Sequence, residues 1–168
     1  MQALLLAALL LSPCPAARAQ EDEAPPILQR YLVNLRLGDN LAAVRRLYPP
    51  ARKWPFYRDS HARVTRYRVE RGWAKSFPSK VQTLLLGLSE GRLVDIQVVY
   101  DEKFSRVKTY EELAGELALL YGEPRRSGDR FWWSDDDTVL RVFPAEVPVP
   151  KGGANAVSWR TSIQIYEK

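Results

Sequence analysis

The residues of this chain with the most to offer chemically are arginines and aromatics. Between Arg30 and Lys80, thirteen Lys or Arg stand against three Asp or Glu, and Trp54, Phe56, Tyr57, Tyr67, Trp73 and Phe77 are interleaved with them. From Val81 to Lys168, eleven basic residues meet fourteen acidic ones, so charge is separated along the chain. A basic, aromatic-rich segment favours an anionic partner. Trp54, Phe56 and Tyr57 fall in a Pro- and Arg-rich stretch, Pro49 to Arg63, that reads as a loop and is a candidate contact region.

Catalytic sets are scarce. His61 is the only histidine, so a zinc site built from two or three imidazoles cannot form within one chain. No Gly-x-Ser-x-Gly elbow accompanies it, and a catalytic base needs a positioned partner, so His61 reads as a loop residue. Asp135-Asp136-Asp137 is the one dense carboxylate cluster. Calcium and similar cations take several oxygen ligands, which leaves open a secreted hydrolase using a metal or a carboxylate pair there, with His61 assisting. Three consecutive residues do not converge on one ion, however, and Asp side chains readily close turns, so a hairpin turn is the better reading. Phosphate-binding and dinucleotide fingerprints are missing from the sequence. No cofactor or metal site is expected, and a non-enzymatic binding module is the leading reading.

Periodicity supplies the elements that must position these residues. Asp39 or Asn40 can cap a helix through Leu41, Val44, Leu47 and Tyr48, stopped by Pro49. Thr109-Tyr110-Glu111-Glu112 has the form of a capping box, and Tyr110, Leu113, Leu117, Leu120 and Tyr121 then repeat at helical spacing up to Gly122. Alternation predicts strands at Val64–Arg71, Val81–Leu88, Leu93–Tyr100, Phe131–Ser134, Thr138–Phe143 and from Val157 to the C-terminus. Ile27 to Leu37 reads as a short strand or helical turn, and Pro144 to Gly153 as a loop. Three strands thus follow each helix, and Ile96-Gln97-Val98 is matched by Ile163-Gln164-Ile165. These matches predict an α+β, two-layer fold: two helix-plus-three-strand units, 27–103 and 104–168, with both helices on one face of a mainly antiparallel sheet.

Strand phase then sorts the faces. If Tyr67, Val69, Leu140, Val142, Trp159 and Ile163 point toward the helices, Arg66, Arg68, Arg141, Arg160 and Gln164 point away. Of the adjacent pair Trp132 and Trp133, one must join them; Trp132 is the candidate. Arg and Trp are enriched in interface hot spots, so Arg66, Arg68, Trp132, Arg141 and Arg160 form the candidate binding face. Its expected partner is an envelope protein or an anionic glycan or lipid headgroup.

The segment Gly38-Asp39-Asn40-Leu41-Ala42-Ala43-Val44-Arg45-Arg46-Leu47-Tyr48-Pro49 resembles the opening of the SmpA/OmlA outer-membrane assembly lipoproteins. It is similar also to the β-lactamase inhibitory proteins, and the second helix ends in a related Tyr121-Gly122-Glu123-Pro124. The resemblance implies tandem helix-plus-sheet units in an exported protein of the bacterial envelope.

An address is written at the start of the chain. Leu4 to Leu11 is apolar, and Ala17-Arg18-Ala19 supplies small-x-small, the form of a secretory signal peptide (1–19) cut after Ala19. An acidic leader, 20–26, follows. Cleavage would remove Cys14, the only cysteine, and with it any disulfide. Lipid anchoring at Cys14 is the alternative, although Pro13 precedes it where a small residue belongs. No later run reaches the roughly 20 apolar residues a membrane helix needs. The mature protein is expected in the periplasm or secreted space, where nucleic acid is a poor candidate partner for the basic half.

Overall fold

The computed structural model describes residues 27–59, 63–149 and 156–168. The signal peptide, Cys14, the 20–26 leader and His61 lie outside these residues. In chain order the elements are β1 (Tyr31–Leu32), β2 (Leu35–Arg36), α1 (Leu41–Leu47), β3 (Phe56–Asp59), β4 (Val64–Glu70), β5 (Val81–Ser89) and β6 (Arg92–Tyr100). Then come α2 (Glu102–Val107), α3 (Tyr110–Tyr121), β7 (Arg125–Ser127), β8 (Arg130–Ser134), β9 (Thr138–Pro148) and β10 (Val157–Glu167).

The α+β reading holds: eight strands form one antiparallel sheet in the order β3-β4-β5-β6-β10-β9-β8-β7. Read outward from the centre, each half presents its strands in the same reversed chain order. β6 and β10 meet antiparallel at the middle, with Gln97 opposite Gln164. Each half contributes four strands rather than three. The additions are the edge strands β3 and β7, four and three residues long, in segments whose Pro and Arg content masks any alternation. β1 and β2 form a separate hairpin, whose turn holds Val33 and Asn34 at positive φ.

Local chemistry fixes the helices. Asn40 caps α1 by accepting from the Ala43 amide at 2.9 Å. Thr109 and Glu112 close the full capping box of α3, each accepting from the other's backbone amide. α3 turns Leu113 and Ala114 into the core and half-buries Leu117, Ala118 and Tyr121. Leu120, assigned to that stripe from its spacing, is 70% exposed. The helix ends one residue later, at Tyr121, and Leu119 and Leu120 both turn outward.

One buried cluster joins Val44 of α1 and Leu113 of α3 to Val69, Leu84, Leu86, Ile96, Val98, Leu140, Val142, Ile163 and Ile165 of the sheet. Burial of these apolar faces supplies the main drive for folding. Tyr48 closes one end, its hydroxyl donating to the Val33 carbonyl; burial pushes its pKa up to about 12. Trp133 closes the other, its indole donating to the Gly122 carbonyl at 2.7 Å.

Two departures from the expected phase concern the β9–β10 hairpin. The predicted Pro144–Gly153 loop is instead strand through Pro148, because β10 pairs with β9 in unbroken register out to Val157 opposite Pro148. Trp159, expected against the helices, is 58% exposed. Beyond Ser162 the β6 ladder ends, and α2 takes over: Ser105 accepts from the Thr161 amide at 3.0 Å and Lys108 from its hydroxyl at 2.8 Å. The β9 ladder continues through this segment, with Trp159 opposite Glu146, but no β6 strand lies beside Trp159 to cover it.

Candidate functional site

The sheet face away from the helices is built by alternation from all eight strands. Cross-strand register sets its rows. One row runs Arg68, Leu85, Gln97, Gln164, Arg141, Trp132, Arg125; a neighbouring row runs Tyr57, Arg66, Gly87, Asp95, Tyr166, Val139. The core-facing residues of α1 and α3, Val44, Leu113 and Ala114, pack on the opposite face.

A polar chain crosses the centre and links the two halves. Arg66 reaches over Gly87 to pair with the Asp95 carboxylate. Gln164 donates to the same carboxylate at 2.5 Å and accepts from Arg141 Nε at 2.7 Å. Asp95 and Gln164 are both buried, at 6% and 5% exposure, so each bond satisfies a group that would otherwise be stranded. Gly87 makes the crossing possible: a Cβ there would sit 2.9 Å from Asp95 Cβ and 3.1 Å from Val64 Cγ1. Burial alone would lower the Arg66 pKa, but the Asp95 bond and charge outweigh it and the net shift is upward.

Arginines in the two halves have different partners. In the first half, Arg66 pairs with Asp95, and Arg68 Nε pairs with Glu70 at 2.6 Å, with Thr83 donating to the other Glu70 oxygen at 2.9 Å. In the second, Arg125, Arg130 and Arg141 form no ion pair among the described residues. Arg141 is instead steadied by Gln164 and lies over the rings of Phe143 and Tyr166, 5.2 and 5.1 Å from their centres.

Three clefts string across this face and share walls. The first, ≈ 410 Å³, is lined by Phe56, Tyr57, Arg66, Arg68, Leu85 and Gln97 among others. A central one of ≈ 590 Å³ shares Gln97 and adds Phe143, Trp159 and Arg130. The third, ≈ 460 Å³, shares Arg130 and Ser127 with the central cleft and adds Arg125, Trp132, Arg141 and Tyr166. Adjoining clefts thus share lining residues, and the three together are lined by residues from β3 to β7.

The predicted face residues divide accordingly. Arg66, Arg68, Trp132 and Arg141 lie on the open face, and Phe56 and Tyr57 border its first cleft, 56% and 63% exposed. Trp54 does not belong there: it is core, 3% exposed, with its indole donating to the Trp73 carbonyl at 3.0 Å. Arg160 is also elsewhere, its guanidinium paired with Glu102 of α2 at 3.1 Å and with its own neighbour's carbonyl. Trp54 departs because alternation does not place an aromatic in a loop; Arg160 keeps its place in the β9–β10 ladder opposite Ala145, and its side chain is drawn to Glu102 of α2. Phase reasoning missed Asp95, Gly87, Arg125 and Arg130. The signal for Asp95 was a lone carboxylate within Leu93-Val94-Asp95-Ile96-Gln97-Val98.

The Asp135 cluster forms the β8–β9 turn. Asp135 oxygens accept from the amides of Leu28, Asp137 and Thr138 at 3.0, 3.1 and 2.8 Å. Burial alone would raise its pKa, but these amides and Arg30 hold it below the usual carboxylate range. Among the described residues no three acidic, histidine or cysteine side chains gather as metal ligands, and no helix is long and apolar enough to cross a membrane.

Fold and groove together define a class: an α+β domain whose antiparallel sheet is covered by helices on one face and grooved on the other. No family model, curated protein or solved structure matches this chain.

Proposed function

We propose that this is an exported, non-enzymatic binding module of the bacterial envelope or secreted space, and that its partner docks along the open sheet face. The observation that carries the reading is the line of three adjoining clefts, bordered by arginines and aromatic rings from both halves, with Asp129 and Glu146 in the central one. Small-molecule sites are usually single concave pockets. A line of adjoining clefts instead suits an extended or surface ligand, an envelope protein or an anionic glycan or lipid headgroup. Arg, Trp and Tyr are the residue types that most often carry binding energy at such surfaces.

The test is capture from envelope extract by immobilised protein starting at Gln20, with bound material quantified. Changing Tyr57, Arg68 and Trp132 together to alanine should abolish most capture, whereas Leu119→Ser with Leu120→Ser on the helix side should leave it intact. Equal capture by both variants would overturn this use of the face.

A further inference from the structure

Resting on the groove as a binding face, we infer that its second half, between Arg125 and Tyr166, takes an acidic polypeptide segment in extended form. Arg125, Arg130 and Arg141 converge on one cleft of ≈ 460 Å³. None has a carboxylate partner among the described residues, whereas Arg66 and Arg68, which line the first cleft, each have one. Like charges gathered in a cleft repel one another, and the arrangement is relieved when an anion enters. The guanidinium fork matches a carboxylate in bidentate geometry, and such charge-assisted bonds are among the stronger ones available to proteins.

The rest of the lining narrows the ligand to a polypeptide. Trp132 stands in register between Arg125 and Arg141, and Phe143 and Tyr166 border the same region. These rings offer apolar contact between the positive sites. Ser127, Ser134 and Gln97 add hydroxyl and amide groups able to bond a peptide backbone. Carboxylates, apolar side chains and amides in alternation are what an acidic peptide presents, whereas a polyuronate or a lipid headgroup lacks the apolar side chains. Length agrees too. From β7 to β10 is three strand spacings, roughly 14 Å, the span of about four extended residues. Arg141 is already fixed by Gln164 and by its two rings, so little is lost in ordering it.

The experiment is fluorescence anisotropy with a labelled ten-residue peptide alternating glutamate and phenylalanine. A glutamine-for-glutamate version, a polyuronate oligomer and anionic phosphatidylglycerol vesicles serve as the other arms. The glutamate peptide should bind at least tenfold more tightly than the glutamine one, and weaken as salt is raised. Arg125→Gln with Arg130→Gln should weaken it at least tenfold, while Arg45→Gln on α1, which lines none of these clefts, changes it less than twofold. Equal binding of the two peptides, or an unaffected double variant, would sink the inference. Tighter binding of polyuronate or vesicles, lost in the same double variant, would replace the polypeptide with that ligand and leave the groove reading standing. Loss of extract capture in the groove variant, with no peptide bound, would separate failure of this inference from failure of the broader one.

Discussion

The two halves of the open face share a strand order and differ in how they treat their arginines. In the first half, Arg66 and Arg68 are each paired with a carboxylate; in the second, Arg125, Arg130 and Arg141 are not. The linear sequence indicates the reverse, because its excess of positive charge lies between Arg30 and Lys80. Composition counts charges along the chain, whereas a ligand meets only those that the fold leaves unneutralised. The halves thus differ: in the first, Arg66 ties β4 to β6 through Asp95 and Arg68 is neutralised by Glu70 of its own strand, while the second presents arginines with no carboxylate partner among the described residues.

The sharpest way to break this comparison is to remove Asp95. Asp95→Ala leaves the Arg66 guanidinium and the Gln164 amide without their shared acceptor. Losing one partner of a buried ion pair costs several kcal/mol; with Arg66 partly exposed, about 3 kcal/mol is expected, read as a lower midpoint in urea unfolding. A loss below about 0.5 kcal/mol would mean that Arg66 is not structural and that the halves are alike. Gly87→Ala should cost less, about 2 kcal/mol, because its Cβ at 2.9 Å from Asp95 Cβ forces the strands or the pair to move. Adding Asp95→Ala to Gly87→Ala should then cost less than the sum of the two separate effects, since both act on one contact.

Much of this arrangement was legible before the structure. Alternation placed Arg66, Arg68, Trp132, Arg141 and Gln164 on one face because each sits inside a strand paired on both sides, where the two-residue period is enforced. The capping box and the β5–β6 and β8–β9 hairpins were readable for the same reason: local chemistry and tertiary pairing agree there. Reading failed where pairing stops. β3 and β7 are too short to show a period, Arg160 lies past the end of its β6 ladder, and Trp54 was placed in a loop although its ring fills the core. The Arg66–Asp95 contact was hidden because it depends on register across three strands, which no single-strand pattern contains.

Hairpin closure gives a second contrast between the halves. The β5–β6 turn uses Glu90 and Gly91 at positive φ, whereas the β8–β9 turn uses the Asp135 carboxylate as acceptor for three amides. Asp135→Ala should destabilise by about 1 kcal/mol at pH 7, lowering Tm by roughly 4 °C. The Asp135 pKa lies lower in the folded than in the unfolded chain, so its stabilisation is present above the unfolded value near pH 4 and is lost as pH falls through the folded value. The Tm gap between wild type and Asp135→Ala should therefore close as pH falls below about 4. A pH-independent gap would mean that the amides do not favour the charged form.

The smallest expected effect is the most informative about the open face. Arg125→Gln and Arg130→Gln remove charges that hold no carboxylate among the described residues, so each should change stability by less than about 0.5 kcal/mol. Relief of mutual repulsion can even make the double variant slightly more stable at low salt, a gain that screening should remove at higher ionic strength. Arg141→Gln is the intermediate case. It removes a charge from the same cleft but also strands the buried Gln164 oxygen, at a cost of about 1 kcal/mol or more. A protein that keeps exposed arginines with no structural return, beside one arginine it holds rigidly, has the charge distribution of a surface awaiting an anion. If Arg125→Gln costs as much as Arg141→Gln, both residues are structural and the division between the halves disappears.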